Sequence, residues 1–372
     1  MYHSWQSYKN NKGIKLNILI TAPSLDTKNN VSGVSSVVNN ILETTELNYI
    51  HFEVGKQDKE KRGLKWILKQ FYLPINLFIV FFSNKVDLFH LNAPLNKLSI
   101  IRDFTLLVVA KIFRKKTILH FHGGEFLIKV PESKVLFNFL KFYFKLGDKI
   151  ITLSQYEKEL VNKNYNIPLE KIVPLENCVI PLENIKKEKK EKARVIFLGR
   201  IVESKGINEI IISMKKLYDY RKDFEFFLYG TGPLENKIVD ELNTYMPDSF
   251  KFKGIISGKE KDEAMIKSDI FILPSLHGEG LPIALLEAMN TENICIVTND
   301  GSMATVITDN ENGFIVKKGD SDDLFNKLNT SIDLILAENK TISKKAKDTI
   351  LEKYNSSIYS KKLKEIYTEL IS

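Results

Sequence analysis

Short apolar runs alternate with helix-forming segments along most of the chain, and this alternation restricts the possible folds more than any other feature. In the first half, the runs that predict buried strands are 16–22, 50–54, 86–91, 117–122 and 149–153. In the second half they are 194–198, 224–229, 250–252, 270–273, 294–297 and 314–316. Strands that alternate with helices build parallel sheets. The sequence therefore predicts an α/β protein with doubly wound sheets.

A charged stretch divides this alternation into two halves. Residues 183–192 read ENIKKEKKEK, which predicts a solvated linker. The length of 372 residues also favours about two domains over a single core. We expect an N-terminal domain over 1–183, a linker over 184–193 and a C-terminal domain over 194–355. Residues 356–372 predict an amphipathic helix that packs back on the N-terminal domain.

The composition is that of a soluble globular protein with an anionic partner. Hydrophobic residues make up 44% and charged residues 27% of the chain, and the formal net charge is +8. This surplus favours a nucleotide, a phospholipid surface or nucleic acid, and charge alone does not choose among them. Cys178 and Cys295 lie far apart in apolar contexts, which argues against a disulfide framework and for a reducing compartment.

The sequence carries no pattern that we expect of an export signal or a membrane span. The first thirteen residues are polar, unlike a signal peptide. The longest apolar run, 71–82, is about half the length of a membrane span and contains Pro74 and Asn76. We therefore expect a cytoplasmic protein.

The most informative motif lies at 271–290 and reads FILPSLHGEGLPIALLEAMN. An apolar strand leads into a loop with two glycines, and Pro282 suits the first turn of the helix that follows. A helix N-terminus behind such a loop is a site for phosphate groups. Glu279 in the loop and Glu287 in the helix add two carboxylates that can reach different parts of one ligand.

Two cations follow the first strand of the second half, in VIFLGRIVESKGI (195–207). Arg200 and Lys205 leave the carboxyl end of that strand together, where they could neutralise a departing diphosphate. Each could equally be an ordinary surface residue. The next strand ends in YGTGP (229–233), whose glycines would let a base or a phosphate approach the backbone closely.

In combination these segments resemble a known family. LGRIVESKGI (198–207), YGTGPLE (229–235), FKGII (252–256) and EGLPIALLEAM (279–289) resemble, in this order and spacing, the family-4 glycosyltransferases of the GT-B fold. The resemblance covers the second half of the chain. It implies two Rossmann-like doubly wound domains that face a central cleft, and a retaining transferase that uses a nucleotide diphosphate sugar.

The resemblance also implies roles for individual residues. Arg200 and Lys205 would bind the diphosphate of the donor, and Glu287 would bind the ribose hydroxyls. Glu279 would face the donor hexose. Because the two cations would neutralise the leaving group, we expect neither a metal ion nor a cofactor.

Four further positions would hold the base, the phosphate or the sugar. The amides of Gly280 and Leu281 would help to hold the phosphate or the sugar, and the base would lie near Gly230 and Ile256. The loop departs from the commonest form of the motif by one additional residue, Gly278. This departure bears on the pose of the glutamate that follows it, and therefore on the choice of hexose.

Two places in the first half resemble the same family. Ser32-Gly33 follows the first strand, where the family carries a glycine pair, and only Gly33 is carried over as a contact for the donor phosphate and the acceptor. The run ILHFHGGEF (118–126) resembles the family's His-Gly turn, which implies that His122 lies by the transferred sugar. His120 points to the same face by strand alternation and is read as a core histidine, with a zinc-binding pair as the alternative.

Two other patterns have more than one reading. Asp320-Ser321-Asp322 has the form of a metal-binding motif, but it precedes a helical stretch and is better explained as an N-cap. Residues 133–146, SKVLFNFLKFYFKL, predict a helix that is apolar almost all round. It is read either as a core helix or as an interfacial helix on an anionic membrane, with 66–82 joining the same surface.

We therefore expect a metal-independent hexosyltransferase with a glycan or polyprenol-linked acceptor and no nucleic-acid partner. It would act in bacterial surface polysaccharide synthesis, in the cytoplasm or peripherally on the inner face of the plasma membrane. Two alternatives stay open: a nucleotide-sugar 2-epimerase of the same fold, and a basic module that binds an anionic polymer or membrane. A dinucleotide-dependent oxidoreductase is disfavoured, since no Gly-x-Gly-x-x-Gly follows the first strand.

Overall fold

The computed structural model describes residues 5–8, 16–26, 30, 32–57, 60, 63–183, 185–188 and 191–372. Up to residue 177 the elements are β1 Trp5–Tyr8, β2 Asn17–Ala22, α1 Gly33–Thr44, β3 Asn48–Glu53, α2 Leu64–Ser83, β4 Leu88–Ala93, α3 Lys97–Ile112, β5 Lys116–Phe121, α4 Glu125–Ile128, α5 Lys134–Leu146, β6 Lys149–Thr152, α6 Gln155–Tyr165 and β7 Ile172–Pro174. From 178 to 355 they are β8 Ala193–Leu198, α7 Ile207–Tyr220, β9 Phe224–Tyr229, α8 Glu235–Tyr245, β10 Phe250–Gly254, α9 Gly258–Lys267, β11 Ile270–Leu273, α10 Ile283–Asn290, β12 Ile294–Thr298, α11 Met303–Val306, β13 Phe314–Val316, α12 Ser321–Leu336 and α13 Thr341–Lys353. The chain ends with α14 Ser356–Ile371.

The chain forms two compact units, and the first of them is built on a seven-stranded sheet. The strand order is β1-β3-β2-β4-β5-β6-β7. β1 pairs antiparallel with β3, and all other pairings are parallel. The central strands β2 and β4 are buried along nearly their whole length, as strands covered by helices on both faces must be.

The second unit contains a six-stranded sheet, β10-β9-β8-β11-β12-β13, in which every pairing is parallel. Each strand falls on an apolar run that the sequence predicts, and no bound differs by more than two residues. The two parallel sheets confirm the predicted α/β class. The agreement is closest here because β11 and β12 are buried throughout, and a fully buried strand needs an unbroken apolar run.

The sequence analysis missed two short edge strands of the first unit. β1 lies in a polar stretch, and only Trp5 among its four residues is half-buried. β7 has three residues and ends at Pro174. An edge strand has one neighbour and buries little apolar surface, so hydrophobic periodicity gives no signal for it.

The boundary between the units falls earlier than the sequence suggests. The first unit comprises 1–177 and 356–372, and the second is the continuous segment 178–355. Residues 178–183 therefore belong to the second unit, although we expected them in the N-terminal domain. The Asn290 side chain explains this, because it donates to the carbonyl of Ile180 at 2.9 Å and accepts from the N–H of Leu182 at 3.2 Å.

The charged stretch after this segment is partly fastened to the second unit. Lys187 Nζ donates to the carbonyl of Ser268 at 2.5 Å and to Asn293 Oδ1 at 3.2 Å. β8 also begins at Ala193, within the expected linker. Residues 184, 189 and 190 of that linker lie outside the described residues. The run of charges marks a change of unit, but it does not coincide with it.

Helix α2 continues through Pro74 and Asn76, which we cited against a membrane span. It spans Leu64–Ser83 with Pro74 inside it. Within it, Trp66–Ser83 is long and apolar enough to cross a membrane, judged by length and composition alone. The apolar run that begins at Phe71 gave too short a length for this stretch, and that no segment spans a bilayer stays a prediction. A proline removes one hydrogen bond from a helix, and packing elsewhere can compensate for it.

Helix α5 covers most of the stretch that was read as a core or an interfacial helix. Leu140, Tyr143 and Phe144 are buried in the core of the first unit. Val135 and Phe142 are exposed. The core reading therefore accounts for most of the apolar surface of α5.

The last helix, α14, is held in the first unit by buried contacts. Tyr367 and Leu363 are fully buried. The Tyr367 hydroxyl lies 2.7 Å from Nδ1 of His90 in β4. Lys149 Nζ and Glu369 Oε1 form an ion pair at 2.8 Å. The final residues of the chain thus complete a core whose other members come from the first 177 residues.

We predict that Tyr367→Ala lowers the free energy of unfolding of the first unit by about 3–5 kcal/mol, because it opens a large cavity and leaves Nδ1 of His90 without its partner. Urea unfolding followed by tryptophan fluorescence measures this, since both tryptophans, Trp5 and Trp66, lie in the first unit. Tyr156→Ala is the control at an exposed position in α6. Equal losses in the two variants would contradict the anchoring role of Tyr367.

Candidate active site

The predicted donor-binding residues of the second unit lie in loops that leave one edge of its sheet. Because the strands are parallel, the loops after β8, β9, β11 and β12 all begin at their carboxyl ends. These loops carry Arg200 and Lys205, Gly230, Glu279, and Asp300 in that order. Residues that are distant in sequence are therefore neighbours in the fold.

Lys205 and Glu279 form an ion pair that joins the loop after β8 to the loop after β11. The Glu279 side chain is 6% exposed. Its carboxylate also accepts a hydrogen bond from Ser275 Oγ at 2.5 Å. The N–H of Glu279 donates to Asp300 Oδ2 at 2.9 Å, and Lys318 pairs with Asp300 Oδ1 at 2.5 Å. Two predicted donor-binding residues of opposite charge are thus in contact. An incoming diphosphate would compete with Glu279 for Lys205.

Backbone contact holds these two loops together. Gly206 has a positive φ of 72°, and a Cβ there would lie 2.2 Å from the carbonyl oxygen of Pro274. The N–H of Leu276 donates to the carbonyl of Ser204 at 2.8 Å. Only glycine combines the left-handed conformation with such a close approach, so Lys205 is positioned by the residue that follows it.

The glycines of the YGTGP loop also allow two backbone segments to approach closely. A Cβ at Gly230, where φ is 128°, would lie 1.8 Å from the carbonyl oxygen of Gly199. A Cβ at Gly232 would lie 2.2 Å from the carbonyl oxygen of Ile201. The sequence analysis explained these glycines by the approach of a ligand. The close packing of the two loops after β8 and β9 already requires them.

Arg200 and the segment around Ile256 differ in what they present to solvent. Arg200 is exposed at the end of β8, whereas Lys205 is half-buried. Ile256 is 5% exposed, and its neighbour Ile255 is 47% exposed. A base lying against this segment would therefore meet the side chain of Ile255 or the backbone, and not the side chain of Ile256.

Glu287 lies in α10 and forms an ion pair with Lys261 of α9. Their side chains are 18% and 17% exposed. Burial raises the pKa of Glu287, and the nearby Lys261 opposes this rise. The carboxylate is held by a neighbouring helix, and its oxygens keep capacity to accept hydrogen bonds from ligand hydroxyls.

A supporting loop that the sequence analysis missed follows β12. The N–H of Ser302 donates to the carbonyl of Gly280 at 3.1 Å. A Cβ at Gly301 would lie 2.0 Å from the carbonyl oxygen of Glu279. The letters NDGS (299–302) after an apolar run are a turn signal. They do not indicate which loop the turn would contact.

The additional residue Gly278 is accommodated at the exposed tip of its loop. Its φ is 88°, and a Cβ there would meet no atom within 4 Å. Glu279 beside it keeps its buried contacts. Leu281 is buried, and α10 begins at Ile283 after Pro282. The amides of the residues before α10 thus lie at a helix N-terminus, as the motif predicts.

In the first unit, Gly33 is the first residue of α1 and is exposed. A Cβ there would meet no atom within 4 Å. Ser32, which stands where the family carries a glycine, caps the helix by accepting a hydrogen bond from the N–H of Ser35 at 3.1 Å. The chain itself imposes no need for glycine at 33, and the open space leaves room for a ligand group.

The hydrogen bonds of His122 determine which ring nitrogen carries its proton. His122 Nε2 lies 2.6 Å from Oδ1 of Asn92. Asn92 Nδ2 donates to the carbonyl of Thr21 at 2.7 Å, so Oδ1 is the atom that faces the imidazole. Because Oδ1 can only accept, Nε2 carries the proton. Nδ1 of His122 is then the hydrogen-bond acceptor of that ring.

Three histidine rings are packed together behind this position. The His120 ring centroid lies 4.2 Å from that of His122 and 5.3 Å from that of His90. His120 is fully buried, which confirms its reading as a core histidine. Burial lowers the pKa of His90 and of His122 to about 3. Burial and then the neighbouring rings place the pKa of His120 well below its ordinary value. All three rings are therefore neutral at pH 7.

Asp320-Ser321-Asp322, a pattern with a possible metal reading, lies at the start of α12. Asp320 caps α12, because its Oδ1 accepts from the N–H groups of Asp322 and Asp323 at 3.1 and 2.9 Å. The N-cap interpretation is confirmed. Among the described residues, no group of three or more His, Cys, Asp or Glu side chains could hold a metal ion.

Comparison with known proteins identifies the family. An uncharacterized glycosyltransferase of Methanocaldococcus jannaschii is 27% identical over 291 residues, 71% of each chain. The family described as "Glycosyl transferases group 1" matches residues 181–349, the segment that contains all of the donor-side residues discussed above. The chain is a glycosyltransferase, and its residues 181–349 match the group 1 family.

Two further proteins are similar to this transferase over most of its length. An Escherichia coli protein named UDP-Gal:alpha-D-GlcNAc-diphosphoundecaprenol alpha-1,3-galactosyltransferase is 25% identical over 325 residues, 82% of this chain and 81% of that one. The crystal structure of Anabaena Alr3699/HepE in complex with UDP-glucose matches with a TM-score of 0.71 and 16% identity. That match covers 95% of this chain and 100% of the other. The transferase therefore has the GT-B fold.

The buried histidines of the transferase predict that acid destabilises its first unit. Folded His120 stays neutral, whereas in the unfolded chain a histidine binds a proton below about pH 6.5. Below that pH the unfolded state binds more protons, so the free energy of unfolding falls as the pH falls. For one histidine the fall is about 1.4 kcal/mol per pH unit between about pH 6 and 5.

We expect His120→Asn to make the pH dependence of urea unfolding shallower by about that amount, measured by tryptophan fluorescence in the same pH range. His277→Asn is the matched control, because His277 is exposed and meets water in both states. A slope that is the same in wild type and His120→Asn would contradict a neutral, buried ring at this position.

Proposed function

We propose that this transferase moves a hexose from a UDP- or GDP-linked sugar to a glycan or polyprenol-linked acceptor, with retention of anomeric configuration. The observation that carries the proposal is the contact of Lys205 with Glu279 at the carboxyl edge of a parallel sheet, with Arg200 exposed in the same loop as Lys205. A cation held at such an edge suits a diphosphate. A buried carboxylate next to it suits the hydroxyl groups of a sugar.

The roles on the donor side follow from the environment of each residue. Arg200 and Lys205 bind the diphosphate, and the amides of Gly280 and Leu281 add N–H donors at the start of α10. Glu287 accepts hydrogen bonds from the ribose. Two names support a nucleotide diphosphate sugar as donor: the HepE crystals contain UDP-glucose, and UDP-Gal occurs in the name of the Escherichia coli relative.

The proposed reaction takes place on one face of the sugar. The acceptor oxygen bonds to the anomeric carbon on the side from which the diphosphate leaves. The bond between the anomeric carbon and the diphosphate oxygen breaks, and a departing phosphate oxygen takes the acceptor proton. Arg200 and Lys205 stabilise the charge that develops on the diphosphate. These cations take the part that a divalent ion plays in metal-dependent transferases.

His122 has a defined part in this scheme. Its Nδ1 accepts a hydrogen bond from a sugar hydroxyl, since the contact with Asn92 keeps the proton on Nε2. The low pKa of His122 keeps the ring neutral, so it orients the sugar and does not act as a general acid. Gly33 leaves open space for the donor phosphate or the acceptor.

The proposed acceptor is a sugar linked to a polyprenol diphosphate, used in the synthesis of a bacterial surface polysaccharide. The support is the name of the Escherichia coli relative, which contains diphosphoundecaprenol. A lipid-linked acceptor places the reaction at the inner face of the plasma membrane. The transferase would work there as a cytoplasmic or peripheral protein.

The two glutamates separate donor binding from sugar transfer. We predict that Glu287→Gln raises the Kd of UDP or GDP about tenfold or more, because it removes a charged acceptor for the ribose hydroxyls. Glu279→Gln should leave that Kd within a few-fold of wild type and lower turnover with the intact donor. Titration calorimetry with the free nucleotide and turnover with the nucleotide sugar measure the two effects.

Glu263→Gln, on the exposed face of α9, is the control and changes neither quantity. Equal effects of the two test variants on nucleotide binding would contradict the division of roles. A protein that no UDP- or GDP-sugar stabilises against heat would contradict the donor site itself. Conversion of a nucleotide sugar without any acceptor would favour the 2-epimerase over the transferase.

A further inference from the structure

Helix α2 presents an unusually apolar face to solvent. Phe71 is 72% exposed and Phe82 is 81% exposed. The residues that form this outer face of α2 follow one another at helical spacing: Ile67, Leu68, Phe71, Tyr72, Ile75, Phe78, Ile79 and Phe82. A continuous exposed stripe of this kind marks an interaction surface in a protein that is otherwise well packed.

The opposite face of α2 is part of the core of the first unit. Leu73, Leu77 and Val80 are each at most 1% exposed. Phe81 lies 5.4 Å from the ring of Phe113 at the end of α3, and Phe78 lies 4.8 Å from the same ring. If α2 spanned a bilayer, this inner face would have to leave the core. An interfacial position keeps it in place.

Basic side chains lie at the C-terminal end of the same helical layer. Because β4, β5 and β6 are parallel, the segments that precede them lie at one edge of the sheet. These segments carry exposed Lys85, Arg114 and Lys145. The carboxylates next to these segments are already engaged: Asp148 pairs with Lys111 at 2.5 Å, and Asp87 accepts from the N–H of Asn17 at 2.9 Å.

The sequence just before α2 is basic as well. The letters at 59–65 are KEKRGLK, and the helix itself contains no acidic residue. Lys69 in its first turns forms an ion pair with Glu53 at 3.7 Å. Among the described residues, exposed positive charge therefore borders the apolar stripe at its C-terminal end. This arrangement is complementary to a surface that is apolar inside and anionic outside.

We propose that the outer face of α2 docks on an anionic lipid bilayer, with the helix lying parallel to the membrane surface. A helix of 20 residues is about 30 Å long, so its apolar stripe can enter the headgroup region along its whole length. The basic groups at its C-terminal end, Lys85, Arg114 and Lys145, contact lipid phosphates. The proposal does not depend on the identity of the sugar donor, and it moves the membrane contact from α5 to α2.

A second copy of the chain fits this face less well. In a two-fold symmetric contact, a patch meets the same patch of its partner. A parallel pair of α2 helices would place the basic C-terminal ends of the two copies together. An antiparallel pair would offer these ends no acidic side chain from α2, since the helix contains none. Lipid phosphates instead neutralise them.

The test uses the full chain and vesicles of phosphatidylcholine with or without phosphatidylglycerol, separated by flotation at about 0.1 M salt. We expect binding to the anionic vesicles and little binding to the neutral ones. Phe71→Ser/Phe82→Ser should weaken binding at least about tenfold, since two exposed rings no longer enter the bilayer. Lys85→Glu/Lys145→Glu should weaken it to a similar degree and reduce its salt dependence.

Ile212→Ser/Tyr220→Ser is the matched control, because it removes two exposed apolar side chains from α7 of the second unit. It should bind vesicles like the wild type. Thermal stabilisation by a UDP- or GDP-sugar, unchanged in all variants, shows that the fold and the donor site are intact. A loss of vesicle binding in the Phe71/Phe82 variant alone therefore reports on the membrane and not on the proposed function.

Three results would overturn the proposal. One is an absence of vesicle binding, or binding that the Phe71/Phe82 substitutions leave unchanged. Another is a wild-type dimer in sedimentation that the same substitutions dissociate, which would assign the face to a second copy. The third is protein that stays in the vesicles after extraction with alkaline carbonate, which would indicate a spanning helix.

Discussion

The donor side of the candidate site depends on backbone segments that touch where only glycine can stand. Gly206 meets the carbonyl of Pro274, Gly230 meets that of Gly199, and Gly301 meets that of Glu279. These contacts join four loops at one edge of the sheet into a single layer. Lys205 and Glu279 face each other because of that layer. Steric fit between the loops thus positions the charged groups of the proposed diphosphate site, and their mutual attraction is not needed to bring them together.

Much of this could be predicted from the sequence, for physical reasons that differ between the two units. Strands β11 and β12 of the second unit are buried on both faces, so their composition alone reveals them. The residues of the EGLPIALLEAM and LGRIVESKGI segments lie at strand ends, where parallel topology brings loops together. The hydrogen bonds between residues of different loops could not be predicted from the sequence. The partners of Glu279 include Ser275 and Asp300, and nothing local indicates which turn will lie against which.

The first unit was harder to predict because its informative features are non-local. The residues of β1 are too polar to indicate a strand. Helix α2 accommodates Pro74 because it packs against α3, and composition does not show that packing. The tautomer of His122 depends on Asn92, a residue of another strand, and through it on a carbonyl of a third. The charged run near 183–192 indicated that there are two units. It did not show that Asn290 holds the residues just before this run in the second unit through two hydrogen bonds.

The division of the chain has a consequence for how the molecule is made. The second unit is one uninterrupted segment, 178–355, whereas the first combines a segment before it with a segment after it. A ribosome therefore releases every residue of the inserted unit before it releases α14. Until then the first unit carries an uncovered set of polar rings around His90, which Tyr367 later closes. The order of synthesis thus makes the inserted unit the first that can finish folding, and its host the last.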